Sequence, residues 1–462
     1  MLTTIIAGAF VLGVVVIVHE FGHFIVAKLS GVYVKVFSIG FGRKLWRMRH
    51  GETVYAISML PFGGYVKFAG ESELADPDAP LPEAEQPRGP LDEVPDSEIP
   101  RTRYFTTQPR HIRAAVLLAG PFMNYVTAVF LYVGVFLFQG VLVVPTTRVG
   151  DVLAGGPAQQ AGIAPGDTIV SVGGRPVSDW KDIEDALLEQ PQSAQTIRVR
   201  NRGEREVSFA PRKEDNGQIT LGLYPYVSSK IGRVQKGKPA WQAGIRPGAV
   251  IEAINDTLVT SYDDVRRIVN ANPNRPLYVR WTMDGLVRAD SIIPEPRDVL
   301  REGSTTELEK VGVIGIGPYS ERRRENLLSA IGSGFSSANH MIAQIVGYLG
   351  QLFTGRVTVK TLGGPLMVYQ MAGDVANWGF DYLLLFLAFF NINLCIFNLM
   401  PVPPFDGGHL AMLAYEALAR RPVNRRVREW LTQAGFVLVI LLMAFVLVLD
   451  LTRCSGSTPG GF

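Results

Sequence analysis

The chain is poor in the groups that crosslink or charge a protein. Two cysteines in 462 residues, Cys395 inside an apolar run and Cys454 near the C-terminus, exclude a framework of several disulfides. Charged residues make up only 19%, against about a quarter in soluble domains, which argues against an ordinary soluble enzyme. A net charge of only +3 gives no basic footprint of a nucleic-acid binder. What the chain does have is apolar sequence, 47% of its residues, with enough charge left over to exclude a protein made of membrane spans alone. These features predict a membrane protein with a soluble part.

A hydrocarbon core of roughly 30 Å takes about 20 mostly apolar helical residues. Four regions supply them: 1–30, 114–140, 380–400 and 434–452. The first has no basic n-region and is read as a retained helix rather than a cleaved signal. Twelve Lys and Arg between Lys28 and Arg113, and five arginines in "ARRPVNRRVREW", place those two connections in the cytoplasm. Both termini and residues of about 140–375 then lie outside. "LLSAIGSGFSSANHMIAQIVGYLGQLF" at 327–353 mixes apolar residues with Ser, Asn, His and Gln, and as a fifth span it would reverse that charge rule. Residues 320–375 are therefore expected as an amphipathic surface helix and linker.

Between the first two spans, residues 31–70 are rich in Val, Tyr, Phe and Ile with glycine-containing breaks, predicting a small membrane-associated β-sheet with an edge free to pair. Region 71–113 is expected as a flexible cytoplasmic loop, because 71–100 holds ten acidic residues and seven prolines. Outside, "GPAQQAGIAPGDTIVSVGGRPV" at 156–177 aligns without a gap with "KPAWQAGIRPGAVIEAINDTLV" at 238–259, an offset of 82. Two copies of one domain, 145–224 and 225–300, follow. Their signature resembles the PDZ domain, which implies strand-type binding of extended peptides. The second copy departs from it at Ala249, where the first has Asp167.

"HEFGH" at 19–23 sits inside the first span. On a helix His19 and His23 share a face and can direct ring nitrogens at one ion, with Glu20 beside them to act on a water. Zinc suits imidazole, and its catalytic sites keep one position open. With six histidines in the chain, a chance HExxH is on the order of one in a few hundred, and ionisable groups inside a span usually mark function. A third ligand must lie at membrane depth. In "NINLCIFNLMPVPPFDGGH", 391–409, the prolines Pro401, Pro403 and Pro404 break the helix. Asp406 at that break is the best candidate, with His409 as runner-up.

HEFGH in a first span, Asn398-x-x-Pro401-x-Pro403-x-x-Asp406-Gly407 in a late one, and paired PDZ-like repeats between them resemble the site-2 protease family. "GFG" at 40–42, "GGYVKF" at 63–68, "GPFMN" at 120–124 and "GGP" at 363–365 extend the likeness along nearly the whole chain. The resemblance implies a polytopic α-helical intramembrane metalloprotease of the bacterial inner membrane. It implies one Zn2+ per chain on His19, His23 and Asp406, with Glu20 as catalytic base. Asn398 matches an asparagine that holds substrate or stabilises the oxyanion. Gly40, Phe41 and Gly42 match a re-entrant loop, Tyr65, Val66, Lys67 and Phe68 a strand that meets unwound substrate, and Asn124, Pro401 and Gly407 supporting positions. Phe405 stands where the family usually has Leu. Implied substrates are single-span proteins: an anti-sigma factor already trimmed outside, and remnant signal peptides. The alternative is a non-catalytic PDZ scaffold with a structural metal, which predicts a fourth protein ligand closing the site.

Overall fold

In the computed structural model, residues 2–70, 93–189, 193–201, 203–213, 219–300, 308–355, 357, 363–421 and 423–456 are described. The acidic stretch 71–92 of the expected loop lies outside them. The chain falls into two compact units, one of residues 1–135, 327–342 and 362–462, the other of 136–326 and 343–361.

The first unit is built from α1 (Leu2–Leu29), β1 (Val34–His50), β2 (Thr53–Phe68), α2 (Arg110–Phe138), the start of α3 (Leu327–Phe353), α4 (Pro365–Trp378), α5 (Phe380–Leu399), α6 (Asp406–Ala419) and α7 (Arg425–Gly456). Among the described residues four helices are long and apolar enough to cross a membrane: Thr3–Leu29, Arg110–Phe138, Phe380–Leu399 and Arg426–Leu451. The last begins well before the expected 434. Asn424 Oδ1 accepts from the Arg426 N–H at 2.9 Å and satisfies a first-turn donor, so the arginine-rich stretch winds into helix instead of forming a loop. Asp406 likewise opens a helix of its own, so the expected loop over 401–433 is confined to the two short turns around α6.

Ala7, Val11 and Val15 of α1 pack with Ala372 of α4 and with Leu383, Phe386 and Leu387 of α5. Within lipid there is little hydrophobic gain from helix association, and small residues that admit close approach take its place. A Cβ on Gly373 would come within 2.5 Å of Thr4 Oγ1. Residues 365–375, expected within a linker, are for this reason a helix seated on α1. Along α3, Ala330, Gly334 and Ala338 are buried at a spacing of four, and Asn339 accepts from the Tyr125 hydroxyl of α2 at 3.1 Å.

β1 and β2 are long and bend back on themselves. Val36 to Ile39 pair on one side with Val54 to Ile57 and on the other with Gly64 to Lys67, while Lys44 to His50 pair with Thr53 to Ser58. The result is four short ladder segments in the order 44–50, 53–58, 34–41 and 64–68, so that 64–68 is an edge. Residues 93–109, expected within the flexible loop, pack beside this sheet. Ile99, Tyr104 and Phe105 are buried, which offsets their ordering. Asp96 Oδ1 accepts from Lys35 Nζ at 3.2 Å, and Glu52 holds Lys28 at 2.6 Å and Arg103 at 2.7 Å.

The second unit contains both sequence repeats. The first forms an antiparallel sheet ordered Arg175–Pro176, Thr168–Val172, Gln195–Arg200, Glu204–Phe209, and the second one ordered Thr257–Leu258, Val250–Ile254, Leu277–Met283, Leu286–Ile292. Each packs a helix, Trp180–Glu189 or Tyr262–Asn270, over a core of aliphatic residues joined by Trp180 and Phe209 in the first repeat and by Trp281 in the second. An early strand of each repeat pairs with a late one: Val149–Val152 with Leu223–Pro225, and Ile231–Val234 with Ile316–Pro318. The second repeat thus continues to 318 rather than ending at 300, because its closing strand follows an inserted hairpin, Glu295–Leu300 with Leu308–Val313. Asp167 is buried in the first repeat and accepts from Ala164 N, Asn201 Nδ2 and Arg205 Nη2 at 3.1, 3.0 and 2.7 Å. Ala249 makes no such bonds, and in its repeat Arg246 instead lies 3.7 Å over the Trp241 ring.

Candidate active site

α1 and α2 cross closely at HEFGH. A Cβ on Gly22 would stand 2.3 Å from the Ala119 carbonyl oxygen, and one on Gly120 would stand 2.4 Å from His23 Nε2. Only glycine at both positions lets the two imidazoles face α2. His19 and His23 are buried, one turn apart, with their Nε2 atoms 3.1 Å from each other. Pro121 deprives the preceding turn of α2 of a backbone donor. Nearby, the Val116 carbonyl accepts from His23 Nδ1 at 2.8 Å. A carbonyl can only accept, so the proton of the neutral ring sits on Nδ1 and the Nε2 lone pair is free.

Asp406 arrives from α6. The turn between α5 and α6 is tight, since a Cβ on Gly407 would meet the Leu399–Met400 backbone at 2.3–2.4 Å. A carboxylate in the first turn of a helix also gains from the helix dipole. Asp406 Oδ2 lies 3.1 Å from His19 Nε2 and 3.4 Å from His23 Nε2, and it is buried without a hydrogen-bond donor in register. Ligand atoms of His19, His23 and Asp406 all fall within 4.8 Å of one another. A buried carboxylate oxygen left without a donor is unfavourable unless a cation sits there. Two imidazoles and a carboxylate are a donor set that fits zinc.

Glu20 faces the sheet. Its Oε2 accepts from the Val66 N–H at 3.0 Å. Asn398 Nδ2 lies 3.3 Å from His19 Nε2, and the fully buried Asn124 places its Nδ2 3.4 Å from His19 Nδ1. A cavity of about 1000 Å³ is lined by His19, Glu20, His23, Asn398 and Asp406, and on its sheet side by Phe41, Gly63–Val66 and Phe68. Phe41 stacks on Tyr65 with centroids 6.1 Å apart. Other expected residues stand apart from the cavity lining. Gly40 occupies a left-handed bend (φ 87°) against the Leu60 carbonyl, and Gly42 another (φ 86°). Lys67 points to the opposite face, bonded to Glu93 Oε2 at 2.7 Å. Pro401 lies in the α5–α6 turn.

Several participants carry no signal in the sequence. The orienting group for His23 is a backbone carbonyl. Gly120 acts by having no side chain, although a glycine beside a proline inside an apolar run marks the spot. At the far end of the cavity Glu416 is buried between Arg428 at 3.1 Å and Arg113 at 3.7 Å, an ion cluster that only the fold assembles.

The sequence model of peptidase family M50 matches residues 7–442. The chain belongs to peptidase family M50. Among its M50 relatives is a protein named "Putative zinc metalloprotease" from Vibrio cholerae, 32% identical, covering 97% of this chain and 98% of its own length. "Protease RseP" from Yersinia pestis and "Regulator of sigma-E protease RseP" from Escherichia coli K12 are each 32% identical, covering 96% of this chain and 97% of their own. As an M50 member the chain is a zinc metalloprotease, and its His19–His23–Asp406 group is a cluster with the spacing to hold a metal ion.

Proposed function

We propose that this M50 metalloprotease hydrolyses a peptide bond within or near the membrane span of single-span proteins, including a sigma-E-type anti-sigma factor after outer trimming and remnant signal peptides. The observation that carries this reading is the meeting of HEFGH and Asp406 in one cavity, on helices apolar enough to span a bilayer, beside a strand edge. His19, His23 and Asp406 would hold zinc, which would supply Lewis-acid polarisation of a water and of the scissile carbonyl. Glu20 takes the proton of the attacking water and passes it to the leaving amine. Asn398 donates its side-chain amide to the oxygen that becomes negative. Asn124 holds His19 from behind, and Gly407 keeps the Asp406 turn tight.

A spanning helix hides its amides in internal hydrogen bonds, so it must unwind before a carbonyl can be attacked. The edge 64–68 takes over those bonds, with Phe41 and Tyr65 flanking the extended segment. Exposed Leu45, Trp46, Met59 and Leu60 on the sheet suit a re-entrant position in lipid. The two repeats are PDZ domains on the outer side of an inner membrane, with both termini on that side, and they screen substrates by the bulk of their outer portions. Among the described residues the donor group has three members, which favours an open catalytic site over the closed site of a scaffold.

The test compares wild type with Glu20→Gln in lipid, measuring bound zinc and cleavage of a trimmed single-span anti-sigma factor with and without chelator. Zinc in both and cleavage only by metal-loaded wild type is the expected result. Cleavage by the variant or by metal-free protein would overturn the mechanism.

A further inference from the structure

The edge strand 64–68 is engaged by the side chain the protease reading names as base. In an antiparallel ladder the N–H and C=O of one residue point to the same side. Because the Val66 N–H donates to Glu20 Oε2 at 3.0 Å, Val66 turns these groups away from its ladder partner Phe37 and toward α1. Residues two apart share that outward side, so Gly64, Val66 and Phe68 are the positions an added strand would use. No other strand borders them among the described residues. The carboxylate lies along this edge, since a Cβ on Gly64 would stand 3.6 Å from Glu20 Cγ.

We propose that Glu20 and an arriving substrate strand compete for the Val66 N–H, so that docking at the edge is what releases the base. The proposal rests on the protease reading above and gives Val66 a positioning role. Before docking, the half-buried carboxylate and the edge amide satisfy each other. A bond to a carboxylate is roughly twice as strong as one to a neutral carbonyl. A single peptide carbonyl therefore cannot displace Glu20, whereas a strand that also bonds at Gly64 and Phe68 can. The base becomes available only when an extended segment lies in register, which discriminates against segments that remain helical.

The experiment uses the full chain, zinc-loaded, in lipid nanodiscs. The probe is an eight-residue Val/Leu peptide whose central amide is replaced by a trans-alkene, a neutral group that cannot be hydrolysed. Removing the competitor in Glu20→Ala is expected to tighten probe binding about tenfold. Hydrogen exchange at the unliganded Val66 amide should quicken by a similar factor and slow again with probe. Glu20→Gln, which keeps the shape and offers a neutral acceptor, should show a smaller gain of the same sign and serves if the alanine variant loses zinc. Equal or weaker binding by the variants overturns the competition. If wild type cuts nothing while these gains appear, the protease reading falls and the competition stands. If it cuts and the gains are absent, the reverse holds.

Discussion

Gly120 of α2 lies against His23 of α1 so closely that a single added carbon would come within 2.4 Å of Nε2, the atom aimed at Asp406. The imidazoles occupy the volume where a side chain on α2 would be. The donor geometry thus depends on a residue that contributes no atom to it.

Gly120→Ala should displace His23 and, through the neighbouring 2.7 Å contact, His19. Losing a contact that orients a metal-binding imidazole typically lowers metal affinity 10–100-fold, and about that loss is expected here. Chelator competition on the purified chain measures it. Unchanged zinc affinity would mean that the helices separate at little cost.

Asn398→Ala should leave zinc in place and reduce kcat by about 10²–10³-fold if its amide serves the oxyanion. A parallel zinc assay separates this outcome from damage to the donor group, since Asn398 lies 3.3 Å from His19 Nε2. A rise in KM with kcat intact would instead assign Asn398 to substrate binding.

In the first repeat, Asp167→Ala removes a buried acceptor of three hydrogen bonds and should destabilise the second unit by about 1–3 kcal/mol. Arg205→Ala should matter less, because its side chain is half exposed. Denaturant unfolding of the two variants compares them directly. Equal effects would show that the ion pair, rather than the loop bonds, dominates.

Asp182 carries a pH dependence. Burial raises its pKa, but hydrogen bonds from Ser178 and Arg323 outweigh burial and bring it from 3.8 to about 2. A carboxyl lowered on folding contributes stability above its unfolded value, and that contribution is lost as pH falls from about 4 toward 2. Asp182→Asn should melt below wild type at pH 7, with the difference closing near pH 2. A gap independent of pH would show that the charge is not responsible.

Much of the site is legible because it is local. His19 and His23 need only a helix to share a face, and their expense inside an apolar segment marks them as functional. Asp406 is legible because three prolines break a helix where few polar groups are tolerated. The repeats are legible from their ungapped offset of 82 residues. The limits of 225–300 are not, because the strand that closes the second repeat is recruited from beyond an insertion.

Short stretches of chain were enough to mark four apolar segments, the paired repeats and the HEFGH turn, since each follows from a local period or composition, whereas Asp406 was one of two candidates until the fold brought it to His19 and His23. Tertiary structure alone decided what orients and flanks those donors. The Val116 carbonyl on His23, the vacancy at Gly120 and the edge amide of Val66 on Glu20 are backbone groups and missing atoms, and any residue type supplies a backbone. Their roles arise only when α1 meets α2 and the bent sheet leaves 64–68 at its edge, contacts whose partners are 46 to 97 residues apart in the chain.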